Sequence, residues 1–258
     1  MIVLGFDTAT QATAVGLRLD DGRALQARDD PAPEAHPGHA TRLLPMAGEL
    51  LAQAGIRWSG LERIAVGIGP GRFTGLRVGV ATARGLAQSL GAELAGVSSL
   101  QALALAASAQ QPGRAILAVI DARRGEAFAA AYPPFVDFAR ERDAGEPLQG
   151  EIELPRAVTA ARMQDIVEQL ERGGARRGER WLAVGDGAEL FAHELEQAGV
   201  EVAARGGGLH AIDPLAICQL GASAAPAAST AQILPDYRRT PDAALARERP
   251  LALGGAAP

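Results

Sequence analysis

A strand-turn-helix signal around residue 70 constrains the fold of this chain more than any other feature. An apolar run over 64–68 ends in Gly69-Pro70-Gly71, and a helical pattern follows. Glycine and proline interrupt regular structure, and a hydroxyl residue such as Thr74 is a favoured helix N-cap. The sequence therefore predicts a strand over 61–68, a tight glycine turn, and a helix over 74–90 that Thr74 caps.

The turn between this strand and helix is similar to a phosphate-binding loop. Backbone N–H groups at a helix N-terminus attract anions, and glycine lets a ligand approach them. The turn is not a Walker loop, because no Gly-Lys-Ser/Thr follows and Arg72 precedes the predicted cap. We call residues 69–74 the signature loop; its members are Gly69, Pro70, Gly71, Arg72, Phe73 and Thr74.

Composition narrows the class of protein. With 258 residues and 48% hydrophobic content, the chain can bury a core in one or two domains. The net charge of −5 supplies no basic surplus for stand-alone binding to nucleic acid. A single cysteine, Cys218, excludes an internal disulfide, and its apolar neighbours predict that it is buried. No signal peptide or membrane span is visible, so we expect a cytoplasmic protein without a membrane partner.

The first half of the chain reads as a three-strand meander followed by alternating helices and strands. Gly22 marks the hairpin turn of the meander, since glycine accepts a positive φ. Pro45 must lie in the first turn of its helix or kink it. The predicted elements are strands 3–6, 12–19, 24–27, 61–68 and 94–97 and helices 40–54, 74–90 and 100–109.

The second half restarts the same pattern. A strand over 115–120 ends in Asp121, much as the first strand ends in Asp7, and a second strand returns over 126–132. This parallel predicts an internal duplication. After a polar insertion at 133–153, the predicted elements are helix 159–172, strand 181–184, helix 189–197, strand 200–203 and a helix from Pro214 that Asp213 caps.

Two copies of a meander plus helices describe the duplicated α/β fold of actin, hexokinase and the heat-shock chaperones. In that fold, two lobes of mixed sheets flanked by helices enclose a cleft. We expect an N-terminal lobe over 1–110, a degenerate C-terminal lobe over 111–239 and a flexible tail over 240–258.

The two strand-end acids are candidates for metal–phosphate chemistry, as in kinases of this fold. Asp7 is followed by Thr8-Ala9-Thr10, a turn without the glycine that would let the backbone close on phosphate. We therefore favour a structural role, in which Asp7 bonds the N–H groups of its own turn. Asp121 precedes Arg123 and Arg124, and pairing with them is as plausible as a role as a base. We treat both acids as vestiges of a phosphate site.

Other polar clusters give no sign of a metal or a nucleophile. Pro37 and Gly38 separate His36 from His39, so the pair does not lie on one helix face, and we expect no metal site. Instead, His39 should cap or pack at the start of helix 40–54. Ser98 or Ser99 should cap helix 100–109, because no G-x-S-x-G elbow surrounds them. A strand-to-helix turn explains Gly185-Asp186-Gly187 without a ligand.

Helix 74–90 carries small residues at every fourth position. Interior glycine costs about 1 kcal/mol against alanine, so close packing must compensate for it. Either the helix packs only on this lobe's own sheet, or it is buried on two sides, by the sheet and by a partner helix; we favour the second. The predicted interface combines this row with leucines of helix 40–54: Gly75, Gly79, Ala83 and Ala87 with Leu43, Leu44 and Leu51.

Several blocks of the chain resemble the bacterial TsaB (YeaZ) family. The most specific is the stretch from Gly69 to Arg77, although Arg72 stands where the family usually has serine. The weaker blocks lie at both ends of the chain and between them: 5–10, 39–45, 96–100, 120–123 and 236–238. Residues 133–180 and 240–258 carry little resemblance.

The resemblance implies a partner subunit in the synthesis of threonylcarbamoyladenosine beside the tRNA anticodon. Members of the family pair with a catalytic paralogue, TsaD, through the two helices of the N-lobe, and the ATPase TsaE joins that pair. TsaD-type proteins carry a His-x-x-x-His metal pair where this chain has Ser98-Ser99-Leu100-Gln101-Ala102. We therefore expect a scaffold that is not an enzyme by itself, has no cofactor when isolated, and meets tRNA only through the complex.

Two other classes of function stay open from the sequence alone. One is a stand-alone ATP-dependent kinase or transferase that uses Asp7 and Asp121. The other is a glycoprotein endopeptidase, which would need metal ligands or a nucleophile–base pair. The sequence also leaves open whether the chain forms a homodimer when alone and whether ATP or ADP binds at the partner interface.

Overall fold

The computed structural model describes residues 1–32, 34–134, 152–153, 158–159 and 181–238. The first sheet contains five strands in the order β3-β2-β1-β4-β5. The first three strands form the predicted antiparallel meander, and β4 and β5 join it in parallel. The strands are β1 (Val3–Asp7), β2 (Thr13–Arg18), β3 (Ala24–Asp29), β4 (Arg63–Gly69) and β5 (Glu93–Ser98).

The second sheet repeats this order. Its path is β11-β10-β6-β7-β8, with β6–β7 antiparallel and β6, β10 and β11 parallel, and β9 pairs with β7 off this path. Each of the five strands on this path has its counterpart in the first sheet, and the duplicated two-lobe fold of actin and hexokinase is confirmed. The strands are β6 (Ala115–Arg123), β7 (Glu126–Tyr132), β8 (Ile152–Glu153), β9 (Val158–Thr159), β10 (Trp181–Val184) and β11 (Glu201–Val202).

The helices arrange the molecule in layers. Helices α1 and α2 cover the outer face of the first sheet, α3 and α6 lie between the two sheets, and α4 covers the outer face of the second. The last helix of each half packs mainly on the sheet of the other half, which ties the lobes together. The helices are α1 (His39–Ala54), α2 (Phe73–Leu90), α3 (Ser99–Gln110), α4 (Asp186–Leu190), α5 (Ala192–Gln197) and α6 (Pro214–Ser223).

Close packing of α6 on the first sheet depends on two glycines that are paired across β1 and β2. A Cβ built on Gly5 would lie 2.6 Å from the Cys218 sulfur, and one on Gly16 would lie 2.8 Å from the Pro214 carbonyl oxygen. Cys218 is buried as predicted, and burial raises the pKa of its thiol to about 12. The thiol is therefore a packing group and not a nucleophile.

Several predicted boundaries need correction. Helix α2 begins at Phe73 with Arg72 as its N-cap, so Thr74 is a helical residue and not the cap. The predicted helix 189–197 is two short helices, α4 and α5, which are separated at Phe191. Pro45 lies in the second turn of α1 and not in its first.

Other predicted features are confirmed or lie beyond the described ranges. Gly22 has a φ of 88°, and Asp213 caps α6 by accepting a hydrogen bond from the Leu215 N–H. In predicted helix 159–172, Thr159 belongs to β9, and the rest lies outside the described residues. The same holds for the predicted tail and for most of the 133–153 insertion. Within the described ranges, no helix has the length and apolarity that crossing a membrane requires.

Candidate functional site

Asp7 lies at the end of β1, where kinases of this fold place a metal–phosphate acid, but here it is enclosed. Its side chain is only 1% exposed. One carboxylate oxygen accepts the Ala9 N–H at 2.7 Å, and the other accepts the Ser99 hydroxyl at 2.5 Å. Burial raises the pKa of Asp7 above its usual value, although these two hydrogen bonds lower it in part. The predicted hydrogen bond between Asp7 and its own turn is present.

The turn after Asp7 packs against α2 without room for added atoms. The Thr8 hydroxyl donates to the Gly75 carbonyl oxygen at 2.8 Å. A Cβ built on Gly75 would lie 2.1 Å from the Thr8 carbonyl oxygen, and one on Gly79 would lie 2.4 Å from the Thr8 hydroxyl oxygen. These two glycines let the helix approach the turn of its own lobe.

The signature loop packs on the same turn from its other side. A Cβ built on Gly71 would lie 2.5 Å from the Ala9 carbonyl oxygen, and the Arg72 N–H donates to that oxygen at 2.8 Å. The guanidinium of Arg72 donates to the Gln11 amide oxygen at 2.8 Å. The Arg72 N–H at the start of α2 is therefore bonded within the protein, and Gly71 has no room for a side chain.

A cleft of about 720 Å³ separates the two lobes. Asp121 lines it, and its carboxylate lies 3.5 Å from the Arg123 guanidinium and accepts the Arg123 backbone N–H at 2.7 Å. Asp186 accepts the Asp121 N–H at 3.0 Å, and burial raises its pKa to about 6. The predicted pairing of Asp121 is confirmed, and Asp186 is an acid of the cleft that the sequence analysis gave no role.

Gly185 and Gly187 are required by the protein's own packing. Gly185 has a φ of +101°, and a Cβ there would lie 2.1 Å from the Val119 carbonyl oxygen. A Cβ on Gly187 would lie 2.8 Å from the Ile120 carbonyl carbon. The predicted explanation for this Gly-x-Gly sequence, a strand-to-helix turn, therefore accounts for both glycines.

The residues predicted to cap or pack at the starts of α3 and α1 have different partners in the structure. Ser98 caps α3 by accepting the Gln101 N–H, whereas Ser99 donates to Asp7. His39 is the first residue of α1, and its Nδ1 lies 2.9 Å from the Thr13 hydroxyl oxygen. Burial lowers the pKa of His39, which favours the neutral ring. No group of three or more potential metal ligands occurs among the described residues.

The predicted partner interface must be redrawn, because this chain itself buries six of its seven residues. Only Leu44 is exposed, at 45%. The buried six pack into the core of the first lobe: Leu43, Leu51, Gly75, Gly79, Ala83 and Ala87. Choosing the small-residue row as the partner face was therefore wrong, since the N-lobe sheet and the turn after Asp7 already occupy that side.

A different glycine of α2 faces outward. Gly85 is exposed, and among residues 1–32, 34–134, 152–153, 158–159 and 181–238 no atom lies within 4 Å of a Cβ built on it. It belongs to an exposed stripe at helical spacing: Thr74, Arg77, Ala81, Gly85 and Gln88. The sequence analysis missed Gly85, although at 100° per residue it lies about 180° around the helix from buried Leu76. A glycine opposite the apolar face has no core-packing reason, and that is the signal that could have identified it.

These features define a class: a duplicated actin/hexokinase-like protein whose first-strand acid is sealed inside its own lobe. The sequence profile of the family tRNA N6-adenosine threonylcarbamoyltransferase (TsaD) matches residues 32–148. The chain is 34% identical to the tRNA threonylcarbamoyladenosine biosynthesis protein TsaB of Escherichia coli K12 over 202 residues, which are 78% of each protein. It is 33% identical to the Haemophilus influenzae protein of the same name, covering 71% of this chain and 74% of that one.

A solved structure agrees with these relatives. YeaZ from Pseudomonas aeruginosa is 31% identical and superimposes with a TM-score of 0.68, covering 92% of this chain and 99% of that one. The chain belongs to the TsaB (YeaZ) family, as its sequence blocks predict.

Proposed function

We propose that this protein acts in tRNA threonylcarbamoyladenosine biosynthesis as a non-catalytic scaffold. In this proposal it pairs with a TsaD-type paralogue through α1 and α2, and a TsaE-type ATPase joins the pair. Its relatives are named as biosynthesis proteins of this modification, which supports the pathway. The pairing and the scaffold role rest on the geometry of the N-lobe.

The outer face of α2 is the observation that carries the pairing. Gly85 costs the helix about 1 kcal/mol relative to alanine, and no packing among the described residues offsets that cost. A partner helix that approaches closely at Gly85 and Ala81 would offset it. Leu44 on α1 adds an exposed apolar side chain to the proposed face.

A TsaD-type protein suits this face because it has the corresponding region. The residues that match the TsaD family profile, 32–148, include all of α1 and α2. A TsaD-type paralogue is therefore expected to offer a similar pair of helices. Two such pairs can pack face to face with helix ridges in helix grooves.

The enclosure of Asp7 supports a non-catalytic role. A carboxylate that assists phosphoryl transfer must reach a metal ion or a substrate, but both oxygens of Asp7 are occupied within the protein. This geometry disfavours the alternative of a stand-alone kinase. The net charge of −5 supports contact with tRNA only through partners that supply basic groups.

The proposal is tested by titrating the protein with the TsaD-type paralogue of the same organism in a calorimeter. We expect a one-to-one complex, and we expect tRNA modification only when both proteins and the ATPase are present. The titration is repeated with ATP and with ADP to determine whether a nucleotide strengthens the interface. Absence of a complex, or ATP hydrolysis by the isolated chain that Asp7→Ala abolishes, would overturn the proposal.

A further inference from the structure

The segment that follows α6 runs back along the N-lobe, and we call residues 224–238 the C-terminal strap. At its start, the Arg63 guanidinium donates to the carbonyl oxygens of Gly221, Ala222 and Ala224. The Ala227 N–H then donates to the Leu94 carbonyl oxygen on the edge strand β5. The strap therefore begins on the edge strand of the sheet whose outer face α1 and α2 cover.

The later part of the strap also contacts the N-lobe. Ile233 packs over Gly96, where a built Cβ would lie 3.3 Å from its side chain. The Asp236 N–H donates to the Ile68 carbonyl oxygen at 2.7 Å, and its carboxylate pairs with Arg238. The strap is therefore held on the N-lobe as far as Asp236, next to Tyr237, by contacts that do not involve the Tyr237 side chain.

Tyr237 is instead presented at the start of α2. The centroid of its ring lies 4.9 Å from the centroid of the Phe73 ring. The Arg77 guanidinium lies over the Phe73 ring, 4.5 Å from its centroid. The two rings are 41% and 45% exposed for Phe73 and Tyr237 respectively. We call these three residues the aromatic corner. Aromatic residues such as tyrosine, together with arginine, most often dominate the binding energy in protein interfaces.

The aromatic corner is continuous with the proposed partner face. Arg77 belongs to the same exposed stripe as Ala81 and Gly85, at helical spacings of four residues. Eight residues of helix span about 12 Å, so a partner helix seated on Gly85 reaches the corner within about two turns. The exposed rings then provide the apolar area that a stripe of alanine and glycine lacks.

We propose that the C-terminal strap forms part of the binding surface, and that the TsaD-type partner covers the aromatic corner as well as the outer face of α2. This inference rests on the proposed function. It assigns to the C-terminal strap a part in partner recognition beside the two helices α1 and α2.

The test compares Tyr237→Ala with Leu190→Ala, which removes an exposed apolar side chain (58% exposed, against 45% for Tyr237) from α4 in the other lobe. Each variant is melted alone and titrated with the TsaD-type paralogue. We expect Tyr237→Ala to keep its melting temperature and bind about ten-fold to a hundred-fold more weakly. Leu190→Ala should bind like the unsubstituted protein.

Hydrogen exchange of the unsubstituted complex gives a second readout that does not depend on any variant folding. We expect the partner to protect amides in 73–78 and 234–238. Unchanged affinity of folded Tyr237→Ala, or no added protection of 234–238, would overturn the role of the strap even if the two proteins pair. If the unsubstituted proteins do not bind each other, the proposed function fails instead.

Discussion

The inner and outer faces of α2 carry glycine for opposite reasons. On the inner face, Gly75 and Gly79 are required because the Thr8 backbone and hydroxyl occupy the space where a Cβ would lie. On the outer face, no described residue comes within 4 Å of a Cβ built on Gly85, so this glycine serves no packing within that part of the chain. The comparison teaches that a glycine row in a sequence does not reveal an interface. The glycine that indicates a partner surface is Gly85, which the described residues do not pack against.

The largest expected effect comes from filling the inner face. Gly79→Leu forces side-chain atoms into the Thr8 hydroxyl and breaks its hydrogen bond to Gly75. We expect the free energy of unfolding to fall by about 3 kcal/mol or more. Chemical denaturation measures this change, with Gly85→Leu as the matched control on the same helix. Equal stability of the two variants would remove the distinction between the faces.

An intermediate effect is expected where an acid is buried without full compensation. Asp186 in the cleft is such an acid, and burial raises its pKa to about 6. An acid with a raised folded-state pKa favours folding below its unfolded pKa, near 4. That contribution is lost as the pH rises through about 6.

Asp186→Asn removes this titration and keeps an acceptor for the Asp121 N–H. We expect the variant to match the unsubstituted protein below about pH 4 and to exceed its stability by about 1–2 kcal/mol above pH 6. Denaturation across this pH range measures the difference between the two proteins. A difference that is constant with pH would show that burial does not perturb Asp186.

The smallest effect is expected from Gly85→Ala. Alanine has a higher helix propensity than glycine, and the open space accepts the methyl group. The variant should gain about 1 kcal/mol of stability, which corresponds to about 2–4 °C in melting temperature for a chain of this size. A loss of stability on melting the isolated chain would mean that this chain does fill the position.

Local signals in the sequence predicted most of the fold. Alternating apolar residues, Gly22 in the hairpin and Asp213 before Pro214 each specify an element through contacts a few residues apart, and all three predictions hold. The repeated strand-then-acid pattern at Asp7 and Asp121 also identified the duplication, which the matching strand orders confirm.

The site could be predicted only in part, because it depends on contacts between distant residues. The hydrogen bond from Ser99 to Asp7 joins positions 92 residues apart, and the Thr8 hydroxyl meets Gly75 across 67 residues. Helical periodicity separates the faces of α2 but does not reveal what covers each face. For that reason the analysis of spacing alone assigned Gly79 to the partner and missed Gly85.

The most direct test of the account is the affinity of Gly85→Leu for the TsaD-type paralogue, measured by calorimetry beside a melt of the isolated variant. We predict a folded protein of equal or higher stability, since leucine has a higher helix propensity than glycine and the position is open. We also predict that partner affinity falls at least about ten-fold, because the added side chain separates the helices. Unchanged affinity of the folded variant would contradict the assignment of the outer face of α2 to the partner.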